Sequence, residues 1–144
     1  MTALEKQELH WKIATLAESQ GVAGTLVWQR IWECSAGHHM KNRSVADTCI
    51  YYDETERRLC GCDVALNRTP CDMTDATTLF AALQAWRDMD KDHRSWTIDV
   101  DSEDIATRVW DTAGASENWH AHRDDDPIEA LAIAFALTLG GRNE

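Results

Sequence analysis

The chain has 144 residues, the size of a single domain that can bury a sizeable core. Its 25 Asp and Glu outweigh 14 Lys and Arg, and a formal net charge of -11 argues against direct binding to nucleic acid or to an anionic membrane. Two Pro and seven Gly beside 44% hydrophobic residues exclude a disordered composition, and five cysteines, an odd number, fit reduced thiols in a cytoplasm better than a disulfide framework.

Thr2 and Glu5 form a capping box for a first helix that is expected to reach about Gln20 and to close at Gly21. Leu9, Ile13, Leu16 and Ala17 share one face, and no apolar signal-peptide core precedes them. Gly21–Gly24 reads as a turn and Thr25–Glu33, β-branched and aromatic, as a strand. Cys34–Asp47 is polar and reads as a loop. Thr48–Asp53 and Arg57–Val64 flank a short turn at Glu54–Glu56 and predict a hairpin, which Asn67–Pro70 should break.

A second helix starts near Asp72 or Thr74, with Ala76, Leu79, Phe80, Leu83 and Trp86 as its buried face. Ser95–Asp101 and Ile105–Asp111 alternate in hydrophobicity and predict antiparallel strands joined at Ser102–Asp104. After a turn at Ala113–Ser116, Glu117–Arg123 is a last short strand. Asp126 caps the final helix, Asp126–Leu139, with Pro127 at its first position, Glu129 completing a capping box and Gly140–Gly141 as its stop. This helix is apolar on all sides and too short to span a bilayer, so the remaining elements should wrap it. The expected architecture is one α+β domain over residues 1–144, an antiparallel sheet packed with three helices, carrying a cysteine-containing insert at about 34–71.

Three groups of residues carry candidate chemistry. Cys34, His38, His39, Cys49, Cys60, Cys62 and Cys71 are rich enough in thiols and imidazoles for structural zinc. Cys34-x3-His38, Cys60-x-Cys62 and Cys71 are the ligands that spacing favours. On a strand, Cys60 and Cys62 would point to one face, an unusual knuckle, and the alternative is small cysteines filling a sheet–helix core. His120-x-His122 before Asp124–Asp125 resembles the start of a metallohydrolase run. It lacks the closing histidine, so two surface histidines leading into a helix cap explain it better.

The third group is acidic. Asp99 and Asp101 lie opposite Trp96, Ile98 and Val100, with Glu103 and Asp104 following. Carboxylates two residues apart on a strand are about 7 Å apart, near the phosphate repeat of a nucleic-acid strand. Such a row can enter a basic groove on another protein, or be an ordinary solvated face.

The half from Pro70 to Gly140 resembles the small phage and prophage proteins of the phage ABA sandwich kind. The resemblance lies in P-C-D-M-T-D-A-T-T-L-F-A-A-L-Q-A-W at Pro70–Trp86, the Trp-bearing strands Trp96–Asp101 and Ala106–Asp111, and the capped Ala-rich helix D-P-I-E-A-L-A-I-A-F-A-L. The first helix at Thr2–Gln20 also fits. Cys34–Cys71 lies outside that pattern. The resemblance implies a gene of phage or mobile-element origin acting in the cytoplasm of a bacterial host, and a protein that acts by binding, as some inhibitors of host defence do. The expected function is therefore non-enzymatic: an acidic inhibitor docking on the basic surface of a host protein or nucleoprotein complex, of the anti-CRISPR kind. Exposed members of the set Trp28, Trp32, Trp110 and Trp119 would be anchors, with Asp99, Asp101, Glu103 and Asp104 as the charged complement. A nucleotide-binding protein using Arg57, Arg58 and Arg108, a metal-dependent enzyme at His120 and His122, and a zinc-stabilised structural accessory are the alternatives.

Overall fold

A computed structural model describes residues 1–40, 48–100, 105–113, 118–122 and 126–140. Asp101, Glu103, Asp104, Asp124 and Asp125, the expected turn at 102–104, and all but Ala113 of the turn expected at Ala113–Ser116, lie outside them. The chain divides into two compact units, a body of Met1–Val27 with Pro70–Glu144, and the span Trp28–Thr69. Both are α+β or β in character, and the class expected from the sequence holds.

In the body, α1 (Ala3–Ser19) begins where Thr2 Oγ1 accepts the Glu5 N–H at 3.1 Å. It buries Ile13, Ala14 and Ala17, and Gly21, at φ 109°, lets the chain turn away after it. A four-residue helix, α2 (Gly24–Val27), replaces the expected start of the first strand at Thr25. α3 (Ala76–Asp88) starts at Asp75, whose carboxylate accepts the Thr78 N–H at 3.0 Å. Its buried stripe is Leu79, Ala82, Leu83 and Trp86. Phe80, expected inside, is 37% exposed, because the inward arc centres on Leu79 and Leu83 and leaves position 80 at its margin.

Strands β6 (Arg94–Val100), β7 (Ile105–Asp111) and β8 (Asn118–His122) form an antiparallel sheet in that order. Trp96 pairs with Val109 and Ile98 with Thr107, so these positions share a face, and Val109 and Thr107 are buried there. That face meets α4 (Pro127–Gly140), where the Thr138 hydroxyl lies 3.2 Å from the Val109 carbonyl and 2.8 Å from that of Ala134.

The α4 helix is sheathed as its sequence predicts. Ala130, Leu131, Ala132, Ala134, Phe135, Ala136, Thr138 and Leu139 are all buried. Asp126 Oδ1 accepts the N–H groups of Ile128 and Glu129 at 3.0 and 3.1 Å, closing its first turn. Gly140 is the last helical residue, and its role is close approach. A Cβ there would stand 3.2 Å from Leu16 Cδ1 on α1. Gln20 donates to the Leu139 carbonyl at 2.9 Å and satisfies one of the helix's terminal acceptors. Trp86 meets Phe135 edge-on at 5.4 Å. Arg94 lies over the Trp86 ring, donates to the Trp86 carbonyl and pairs with Asp111 at 3.1 Å, tying the end of α3 to the sheet.

The span 28–69 is built differently. β1 (Trp28–Cys34) lies between β2 (His39–Met40) and β5 (Val64–Pro70), while β3 (Tyr52–Asp53) and β4 (Arg58–Leu59) form a hairpin. The described strands thus make three small sheets and not one. The hairpin is the expected one: Tyr52 pairs with Leu59 and Asp53 with Arg58, and Asp53 Oδ1 accepts the Thr55 and Glu56 N–H groups across the turn. Asn67–Pro70, expected to break the strand, belongs to β5. Proline is tolerated at its last position, at the end of the strand.

Candidate metal centre

Four donors converge in the span 28–69: the thiols of Cys34, Cys49 and Cys60 and the Nδ1 of His38, all within 4.8 Å of one another. The local chain explains how. Cys34 ends β1, and Gly37, at φ 93°, reverses the chain so that its N–H reaches the Cys34 carbonyl at 2.9 Å. The Cys34 N–H then reaches the His38 carbonyl at 3.0 Å, and the His38 N–H points back to the Cys34 sulfur at 3.4 Å. Cys49 and Cys60 come from the two arms of the hairpin. Cys60 N–H donates to Tyr51 at 2.7 Å, Gly61 N–H to Cys49 at 3.0 Å, and Cys49 N–H to Cys62 at 2.8 Å.

The spacing within the group is informative. Zn–S near 2.3 Å and Zn–N near 2.0–2.1 Å in a tetrahedron put sulfurs about 3.8 Å apart and a sulfur and nitrogen about 3.5 Å apart. Cys34 Sγ stands 3.9 Å from Cys60 Sγ, 3.3 Å from His38 Nδ1, and Cys49 Sγ stands 3.4 Å from the same nitrogen. These are tetrahedron edges, and 3.9 Å is far beyond the about 2.05 Å of a disulfide. All five cysteines are free.

Tyr51 stacks on the His38 ring at 4.0 Å and fixes its plane. The thiols hold protons unequally. Burial acts to raise that of Cys34, but the N–H groups of His38 and Ala36 and the thiols of Cys49 and Cys60 outweigh it and bring it down to about 6. At Cys60 the Cys62 N–H favours the thiolate. The Cys62 side chain, burial, Cys49 and Cys34 together outweigh it and push Cys60 up to about 12. Three thiols this close resist ionising together, and a divalent cation removes that conflict.

Burial gives a second line of support. The buried apolar residues of the span are Trp28, Cys34 and Cys49 among the described residues, while Ile50, Tyr51, Tyr52, Leu59 and Leu66 are each 46% exposed or more. Two of the three buried residues are members of the donor group. A unit close to the length of about 40 residues, below which a core alone seldom suffices, therefore gathers ligands where its interior should be.

The spacing argument from sequence is corrected in part. Cys34, His38 and Cys60 belong to the group, and Cys49 takes the place given to Cys62 and Cys71. Residues 60–62 are not a strand: Gly61, at φ 69°, turns the chain, so strand alternation does not set the directions of the two cysteines. Cys62 remains a hydrogen-bonding neighbour of Cys60. Cys71 belongs to the body, where its N–H meets the Val27 carbonyl and burial pushes its thiol up. His39 pairs with Glu33 at 3.4 Å.

The expected partner-binding residues are scattered. Trp28 is only 8% exposed and lies under Arg68, whose guanidinium is 4.3 Å from the ring, so it is not an exposed anchor. Trp32 and Trp110 are half-buried. Asp99 is exposed, and its pairing with Ala106 puts it on the same face of the sheet as Arg108 and Trp110, away from α4. Arg108 covers Trp110 at 4.8 Å, so that face is of mixed charge. Trp119, His120 and His122 pair in register with Val109, Arg108 and Ala106.

The architecture and the donor group define an α+β chain with a candidate metal-binding insert. No protein-family model, no curated protein and no solved structure matches it. No helix among the described residues is long and apolar enough to cross a membrane.

Proposed function

We propose that this is a non-enzymatic binding protein in which a zinc ion, held by Cys34, His38, Cys49 and Cys60, organises the span 28–69. The convergence of four donors within 4.8 Å of one another, with three of their separations near the edges of a zinc tetrahedron, carries this reading. Three thiolates and one imidazole fill a zinc coordination shell and leave no position for water or substrate, which is the pattern of structural and not catalytic zinc. Native mass spectrometry of protein purified without a His tag should find one zinc per chain, and folded, metal-free protein would refute it.

Charge distribution supports a protein partner. The span 28–69 carries six Lys and Arg and six Asp and Glu, so the whole net charge of -11 resides in the body. In this reading the acidic body docks on the basic surface of a host protein or nucleoprotein complex, and the protein is an inhibitor of phage or mobile-element type. Asp99 is the described carboxylate expected to contribute. Affinity capture from bacterial lysate, repeated with Asp99→Lys and at raised salt, tests it. Capture should weaken under both changes, and a partner indifferent to both would remove the acidic-docking reading.

A further inference from the structure

We propose that Cys60 is a site of oxidation by hydroperoxides and Cys34 its resolving thiol, so that a Cys34–Cys60 disulfide expels zinc from the span 28–69. The assignment rests on the reading of the same four donors as a zinc site. The thiols of that group differ in their access to solvent. Cys34 is 3% exposed and Cys49 fully buried, whereas Cys60 is half-buried. A small oxidant entering from solvent therefore meets the Cys60 sulfur first.

The Cys60 thiolate attacks one oxygen of the hydroperoxide. An S–O bond forms, the O–O bond breaks and hydroxide leaves, so the sulfur gives up two electrons and becomes a sulfenic acid. The Cys34 thiolate then attacks the Cys60 sulfur: the S–S bond forms, the S–O bond breaks and a second hydroxide leaves. Solvent protons convert both hydroxides to water, and two thiolates have been oxidised for one peroxide reduced. The geometry suits the second step. The two sulfurs stand 3.9 Å apart although 26 residues separate them in sequence. Their backbones are held in place, with the Cys34 N–H on the His38 carbonyl at 3.0 Å and the Cys60 N–H on the Tyr51 carbonyl at 2.7 Å. Closing to the about 2.05 Å of a disulfide asks a movement of about 1 Å from each sulfur. Zinc holds Cys34 in the thiolate form that attacks, an advantage that Cys62, outside the donor group, lacks. Once the disulfide has formed, Cys49 and His38 are the donors left in the group, too few to complete a zinc shell.

Protein purified under reducing conditions without a His tag is assayed for zinc and then treated with hydrogen peroxide. A chromogenic chelator follows the metal, and mass spectrometry of alkylated peptides maps the link. Loss of the bound zinc together with a Cys34–Cys60 disulfide is expected, and a dithiol reductant with added zinc should reverse both. Cys62→Ser should behave as the parent protein does. Cys60→His, which keeps four donors and removes the oxidisable sulfur, should release zinc at least about tenfold more slowly. Absence of zinc before treatment would overturn the metal reading and this proposal with it. Where zinc is present at the start, three results overturn the proposal alone: zinc retained through the treatment, a link that omits Cys34 or Cys60, or release from Cys60→His as fast as from the parent.

Discussion

The interior of the body is made of Trp86, Phe135, Ile13, Met73, Leu79, Leu83 and Leu131, all fully buried, gathered about a helix with hardly a polar side chain on it. The interior of the span 28–69 is Trp28 with Cys34 and Cys49, and its large apolar side chains lie outside. One part of the chain folds by removing hydrocarbon from water; in the proposed reading the other depends on donors that a cation bridges. The charge follows the same division, since the acidic excess belongs entirely to the body. One polypeptide thus holds two solutions to the problem of a stable interior, and they should fail under different conditions.

Chelation should separate them most sharply. Structural zinc contributes about 10–16 kcal/mol in zinc-finger peptides. A strong chelator is therefore expected to abolish amide exchange protection at Cys34, Cys49, Cys60 and Gly61 while the α4 and β7 amides keep theirs. Simultaneous loss in both parts would show that the division is not energetic. Cys49→Ser should reproduce the effect of chelation, whereas Cys62→Ser should leave metal content unchanged; the reverse outcome would restore the ligand choice that spacing alone favours.

In the opposite direction, Phe135→Ala removes the ring that meets Trp86 edge-on and should destabilise the body by about 3–5 kcal/mol in urea unfolding, with zinc content intact. Asp126→Ala leaves the Ile128 and Glu129 N–H groups without their acceptor and should cost about 1 kcal/mol in the same assay.

The smallest effect is one of pH. Burial lowers the value for His10, outweighing the attraction of Asp72, and Lys6 acts in the same direction as burial. Its Nδ1 accepts the Met73 N–H at 3.1 Å, so protonation there breaks a link within the body. Because the folded value lies below the ordinary 6.5, the unfolded chain takes up the proton first. The contribution of this group is present above that value and is lost as pH falls through the folded one. The urea midpoint should therefore decline as the solution is acidified below it, and less so in His10→Gln.

The body was largely legible in the sequence. Caps at Thr2 and Asp126, the all-round apolar surface of α4 and the alternation in β6 and β7 are local signals, and local signals survive into the structure. What failed were boundaries decided by packing. Phe80 sits at the margin of its helix's inward arc, and Thr25–Val27, strand-like in composition, forms a helical turn. The candidate donor group was legible by composition and not by membership. Cys49 had no close partner in sequence, and only the hairpin, with Thr48 bridged to Asp63 and Tyr52 paired with Leu59, brings it beside Cys60. The positive φ at Gly61 that breaks strand alternation between Cys60 and Cys62 left no trace except the glycine itself.

X-ray absorption at the zinc edge, on protein as purified, addresses the donor group most directly. Three sulfurs at about 2.3 Å and one nitrogen at about 2.0–2.1 Å are predicted. A shell dominated by nitrogen and oxygen, or the absence of zinc from folded protein, would contradict the claim that Cys34, His38, Cys49 and Cys60 hold a zinc ion in the span 28–69.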